Sequence, residues 1–173
     1  MNTLPRFRSS CCALSLAVLF TAPCAYGWVV DGSPVCTVDR TQSGQVALPD
    51  GAGGVFVVWA DTRHAGTTAP DIYAQRLDAN GAPMWALNGV PVTTAAANQS
   101  GHEVIADGSG GIIVVWSDDR TNGTSALDLY AQRLNASGTA LWTADGVPVT
   151  TAPSIQSNHC IVSDGAGGVI AVW

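Results

Sequence analysis

Asp107-Gly108-Ser109-Gly110-Gly111-Ile112-Ile113-Val114-Val115-Trp116 joins a glycine turn to an apolar run, and the pattern recurs 57 residues to either side, as DGAGGVFVVW at 50–59 and DGAGGVIAVW at 164–173. The glycines supply the positive φ that a tight hairpin needs. The run that follows is apolar at odd and even positions alike and rich in β-branched residues, so it reads as a strand covered on both faces. Such a strand stays dry only if another layer lies on each side of its sheet.

The step of 57 governs the rest of the chain. All six tryptophans fall on two series, Trp28, Trp85 and Trp142, then Trp59, Trp116 and Trp173, while Asp71-Ile72-Tyr73-Ala74-Gln75-Arg76-Leu77 returns as Asp128-Leu129-Tyr130-Ala131-Gln132-Arg133-Leu134. A fixed period of this kind marks a tandem array whose units bury their faces on one another. In the copy around Trp116, residues 102–106 read as a first strand and 111–117 as the second. Residues 127–134 alternate, with Asp128, Tyr130, Gln132 and Leu134 on one face and Leu129, Ala131 and Arg133 on the other, which predicts a half-exposed third strand. Asn135-Ala136-Ser137-Gly138 then turns the chain into 139–142, predicted as the outermost strand. Val147-Pro148-Val149 follows as an extended link in which Pro148 suits an edge position. No stretch of useful length after residue 27 carries a 3.6-residue apolar period, so no helix is predicted there.

These readings predict an all-β fold of tandem four-stranded antiparallel blades of the β-propeller type, about two and a half in number. They divide the chain into 28–59 (a partial first blade), 60–116 and 117–173. The repeat D-G-x-G-G-x-x-x-V-W, D-x-R, D-[IL]-Y-A-Q-R-L, G-x-x-x-W resembles the propeller-type repeats of large exported bacterial proteins, most of them uncharacterised. Asp78-Ala79-Asn80-Gly81-Ala82-Pro83-Met84-Trp85 is also similar to the tryptophan-docking turn of pyrroloquinoline quinone-type propellers, one residue shorter, and more distantly to the Asp-box of sialidases. The resemblance implies a scaffold. Its spacing differs from both characterised groups and Asn135 stands where the preceding copy has Asp78, so neither activity is carried over and no cofactor is expected.

Residues 1–27 read as an export signal, with Arg6 and Arg8 ahead of the apolar run Cys11–Phe20 and a small-x-small site at Ala25-Tyr26-Gly27. That run is well short of the roughly 20 residues a membrane-spanning helix needs. The predicted location is therefore secreted or at the cell surface, with no transmembrane segment after the leader. Seven arginines and no lysine face thirteen carboxylates, a formal charge of −6, which repels phosphate backbones and argues against nucleic acid as a partner. Only Cys36 and Cys160 follow the leader. They belong to units two steps apart, whereas a disulfide needs Cα atoms within about 7 Å, so no bridge between them is expected.

Binding surfaces favour long loops held on a rigid scaffold, and in an up-and-down blade the longer polar segments 61–70, 93–101, 118–126 and 150–158 share one end. Asp61, Arg63, Asp118, Asp119 and Arg120 are the candidate ligand-face residues there, the Asp suited to a cation and the Arg to an anion. Recurrence of Asp-x-Arg in each copy favours a scaffold role, with the carboxylate capping the loop and pairing with the Arg. Gln42, Gln99 and Gln156 recur likewise and are expected to hold the crossover between blades. His102 and His159, one blade apart, are too distant to share a metal. Trp59 and Trp116 are expected in the core, and Trp85 and Trp142 docked between neighbouring blades. Glu103 is the only glutamate, and no Ser/His/Asp or Cys/His set stands at a telling spacing.

The array stops inside a strand, since Val169-Ile170-Ala171-Val172-Trp173 is a buried-strand run. A truncated sequence is the expectation, with assembly of several short chains into one ring as the alternative. The function expected is a non-catalytic binding or surface-interaction module for a protein or glycan ligand. The alternative is a fragment of a sialidase-like hydrolase acting on glycans.

Overall fold

The computed structural model describes residues 32–64, 69–120 and 127–173; the predicted leader and Trp28 lie outside them. Among the described residues there are ten strands and no helix, so no helix there is long and apolar enough to cross a membrane. The first sheet comprises β1 (Gln42–Pro49), β2 (Val55–Asp61), β3 (Asp71–Leu77) and β4 (Val90–Thr93). The middle sheet comprises β5 (Gln99–Ala106), β6 (Ile112–Asp118), β7 (Asp128–Leu134) and β8 (Val147–Thr150), and β9 (Cys160–Ser163) with β10 (Val169–Val172) forms the third. Each four-stranded sheet is an antiparallel meander in chain order.

The turns follow from their side chains. Asp107 Oδ1 accepts the N–H groups of Ser109 and Gly111 at 2.8 Å each, while Oδ2 takes Arg133 Nε at 2.9 Å. Asp50 repeats this with Ala52, Gly54 and Arg76. Gly111 is required because a Cβ there would collide with the carbonyl oxygen of Leu134. Asn135 serves where Asp78 does in the preceding copy, because only one side-chain oxygen is needed. It accepts from Ser137 and Thr139 N–H, as Asp78 does from Asn80 and Ala82.

Two expectations are corrected. The outermost strand is not 139–142, which makes only an isolated bridge between Leu134 and Ala140, but β8, with Pro148 facing Tyr130. The peptide N–H of Trp142 is instead taken by Gln132 Oε1 at 3.1 Å, and that of Trp85 by Gln75 Oε1 at 3.0 Å, so beyond one backbone bond each, Leu141 N to Arg133 O and Met84 N to Arg76 O, this segment is pinned by a side chain. Nor is the third strand half exposed: β7 is buried at every position except Arg133, and β3 at every position except Arg76. The polar members are absorbed internally. Gln132 Nε2 donates to Thr143 O and Gln75 Nε2 to Ala86 O.

The sheets pack face on face. β6 is buried at all seven positions, whereas β2 is fully buried at four and β10 at none. The first seam gathers Phe56, Val58, Ile72, Ala74 and Trp85 from the first sheet against Ile112, Val114, Trp116 and Leu134 of the middle one. The second joins Ile105, Ile113, Val115 and Trp142 to Ile161 and Val169. At roughly 1.5–3 kcal/mol for each large apolar side chain removed from water, these seams are what a lone sheet would lack. Polar clasps cross them as well. Trp85 Nε1 donates to Ala136 O at 3.0 Å, Thr94 N to Asp145 Oδ1 at 2.8 Å, and Ile161 N to Glu103 Oε2 at 3.0 Å.

Candidate functional site

The Asp-x-Arg pair sits where β2 or β6 enters its long loop. Asp118 is fully buried. Its Oδ1 caps the loop by accepting Arg120 N at 2.9 Å, and Oδ2 accepts both Arg120 Nη2 at 2.6 Å and the indole N–H of Trp116 at 2.7 Å. Arg120 also donates to Asp145 O at 2.8 Å and lies 4.0 Å above the Tyr130 ring. The first copy repeats the set. Asp61 accepts Arg63 N, Arg63 Nη2 and Trp59 Nε1, and Arg63 reaches Asn88 O while covering Tyr73 at 3.8 Å. Burial pushes the Asp61 carboxyl up, but the hydrogen bonds from Arg63 and Trp59 outweigh it and hold it below the usual value. Arg63 loses from burial and gains more from Asp61, so its charge is locked on.

Four of the five candidate residues, Asp61, Arg63, Asp118 and Arg120, are thus brought together as two intrasheet networks. Asp119 stands apart. It is partly exposed, its N–H donates to Asn98 O, and among the described residues its carboxylate takes no hydrogen bond. Its counterpart in the first copy is Thr62.

The crossover glutamines act as the recurrence predicted. Gln99 Nε2 donates to the carbonyls of Ala95, Ala96 and Ala97, Gln156 Nε2 to Ala152 O and Ser154 O, and Gln42 Nε2 to Val38 O. Trp59 and Trp116 lie in the core, and Trp85 is docked on the next sheet's turn. His102 and His159 are also seam residues: each is buried with neither ring nitrogen hydrogen-bonded. Their rings lie over glycines of the preceding sheet, His102 Cε1 3.5 Å from where a Cβ of Gly44 would stand and His159 Cε1 4.0 Å from that of Gly101.

Sequence reasoning missed three features of the loop end. Tyr73 and Tyr130 are the platforms under the arginines, a role visible in hindsight in the fixed D-[IL]-Y spacing. Asn88 and Asp145, at φ 66° and 60°, hold Thr37 and Thr94 through their side-chain oxygens. His64, with 65% of its side chain exposed, lies 3.1 Å from Tyr73 Oη and 3.4 Å from Asp71 Oδ2. Burial raises the Asp71 carboxyl more than His64 lowers it. His64 has no counterpart, since position 121 is Thr. Cys36 and Cys160 are free. Arg63 Nη2 donates to Cys36 Sγ at 3.3 Å, and this thiol stands where the next copies have Thr93 and Thr150. Val35, Cys36, Gln42, Gln45, Val57 and Trp59 line a cleft of about 340 Å³ on the outer side of the first sheet. Among the described residues no three His, Cys, Asp or Glu side chains are grouped to hold a metal ion.

No protein-family model, curated protein or solved structure matches the chain.

Proposed function

We propose that this chain is an exported β-propeller scaffold that binds a protein or glycan at its long-loop end and performs no chemistry of its own. One observation carries the reading. The Asp-x-Arg pairs at the loop end are spent alike in both copies on holding the sheet, whereas the sequence positions beside them differ from copy to copy, the exposed His64 standing where the next copy has Thr121 and the half-buried Thr62 where it has the half-buried Asp119. A scaffold contact must recur once per unit, and a recognition surface varies over it. Support for a propeller arrangement comes from the stacking, in which β5 packs on β1, β2 and β3 and β9 packs on β5, so that the first strand of each later sheet lies on the sheet before it. Support for export is the leader pattern of residues 1–27.

Two experiments test this. The full chain is screened against immobilised glycans and cell-surface proteins. Saturable binding that weakens at least fivefold in His64→Ala or Asp119→Ala is the expected result, and turnover of a glycoside by the purified chain would overturn it. Residues 1–27 fused to a reporter that is active only after export should yield activity outside the cytoplasm. Retention of the reporter inside removes the export part of the proposal.

A further inference from the structure

The seam between the first and middle sheets holds a buried ring that its surroundings leave unpaired. His102, on β5, is 8% exposed, and among the described residues neither Nδ1 nor Nε2 has a hydrogen-bond partner. The ring sits in a socket that Gly44 of β1 provides: a Cβ at Gly44, whose φ is +64°, would stand 3.5 Å from its Cε1. A leucine in that socket would bury apolar surface and strand nothing. A neutral imidazole strands one donor and one acceptor, and an imidazolium would strand two donors and a full charge. The construction recurs at the next seam, where His159 is 5% exposed, equally unpaired, and lies over Gly101. A recurrent residue that packing alone does not require points to the property that separates imidazole from a hydrocarbon, a change of charge near neutral pH.

The strands packed on β5 are β1, β2, β3, β6 and β9, and their charged groups are committed elsewhere. β1, which carries Gly44, has no titratable side chain. On β2, Asp61 is bound to Arg63 and the Trp59 indole. On β3, Asp71 faces His64, Tyr73 lies under Arg63, and Arg76 is paired with Asp50. On β6, Asp118 is bound to Arg120 and the Trp116 indole. Cys160, the one titratable side chain of β9, is exposed. On β5 itself, Glu103 takes Ile161 N across the other seam. Burial holds the His102 ring below its ordinary value of 6.5, and the backbone of Gly44 and Val58 offsets only part of that.

We propose that His102 makes this seam an acid-sensitive joint, its protonation parting the first and middle sheets while the ladders within each sheet stay formed. An open seam gives the imidazolium the water that a closed one denies it. Proton uptake by the open form raises its population by up to about tenfold per pH unit below pH 6.5, or about tenfold in all between pH 7.5 and 5.5. The bonds that cross the seam, Trp85 Nε1 to Ala136 O and Thr94 N to Asp145 Oδ1, part in the same step. The ladders of β2 with β3 and of β6 with β7 do not. This inference concerns the seam and does not depend on the ligand proposed at the long-loop end.

Hydrogen exchange of the full chain, followed by NMR from pH 7.5 to 5.5 and corrected for the intrinsic rate at each pH, tests it. The Trp85 indole N–H reports the seam, and the amides of β6 report the ladders. Trp85 is expected to be less protected than β6 at every pH and to lose about three- to tenfold of its protection across the range. His102→Gln or His102→Leu, neither of which titrates, should hold the Trp85 protection constant, while His64→Gln and His159→Gln keep the wild-type dependence. Trp85 protection that does not change with pH in the wild type overturns the proposal whatever the variants do. So does an undiminished dependence in the His102 variants. Equal protection of Trp85 and β6 would show that the seam opens only with the whole fold, and overturns it as well.

Discussion

Replacing Gly138 by Ala tests the seam between the first and middle sheets through one methyl group. Gly138 has φ +81°, and a Cβ there would stand 2.8, 2.9 and 3.1 Å from Cδ2, Cγ and Cε2 of Trp85, a residue of the neighbouring sheet. The ring has little room to retreat. It is 8% exposed, its centroid lies 5.6 Å from that of Phe56, and its N–H is held by Ala136 O at 3.0 Å. Gly108, at φ +72° with nothing within 4 Å of its missing Cβ, is the control. Alanine at Gly108 meets only the left-handed backbone penalty of about 1–2 kcal/mol. At Gly138 the same penalty is joined by the Trp85 hydrogen bond, about 0.5–1.5 kcal/mol, and by partial loss of ring burial, about 1–2 kcal/mol. Gly138→Ala is therefore expected to lose roughly 2–3 kcal/mol more than Gly108→Ala in urea unfolding at equal m-value. Its indole emission should also shift toward that of a solvated ring. Equal losses from the two variants would refute the docking of Trp85.

Three further outcomes follow from the networks. Asp118→Ala strands the buried Trp116 N–H and the Arg120 guanidinium and should cost about 3–5 kcal/mol, with Asp118→Asn costing clearly less; a loss below 1 kcal/mol in chemical denaturation would contradict the network. Gln99 only donates to its three carbonyls, so Gln99→Glu, which sets a negative oxygen against them, should be more destabilising than the roughly 1–3 kcal/mol of Gln99→Ala. Burial holds the His102 ring below its ordinary value of 6.5, so as the pH falls through about 6.5 the unfolded chain takes up the proton before the folded one does. Stability is then full above that pH and falls as the pH drops through it, by up to about 1.4 kcal/mol per unit, and His102→Gln should flatten that slope in urea midpoints measured between pH 7.5 and 5.5.

What was legible in the chain was whatever repeats. The glycine turns, the doubly buried second strand, the seam tryptophans and the capping glutamines each recur at a step of 57, and each is a contact that every unit must make once. The outer strand was misread because Trp85 and Trp142 look like strand residues, while their peptide N–H groups belong to Gln75 and Gln132. Alternation in β3 and β7 suggested a wet face because buried Asp and Gln have the same letters as exposed ones. Their burial becomes visible only with the partners that satisfy them. The Asp-x-Arg pair was placed at the correct end of the sheet, yet its third member, the indole N–H two residues earlier, needs the strand geometry to be seen.

The most direct test of the stacked-repeat account is a set of through-space proton contacts across the seams in solution. The account predicts cross-peaks from the Trp85 indole N–H to the Gly138 α-protons, from Val58 methyls to those of the middle sheet, and from the His102 ring to Gly44. Ladder contacts within each sheet without any of these cross-seam contacts would show that the units fold but do not stack, and would contradict it.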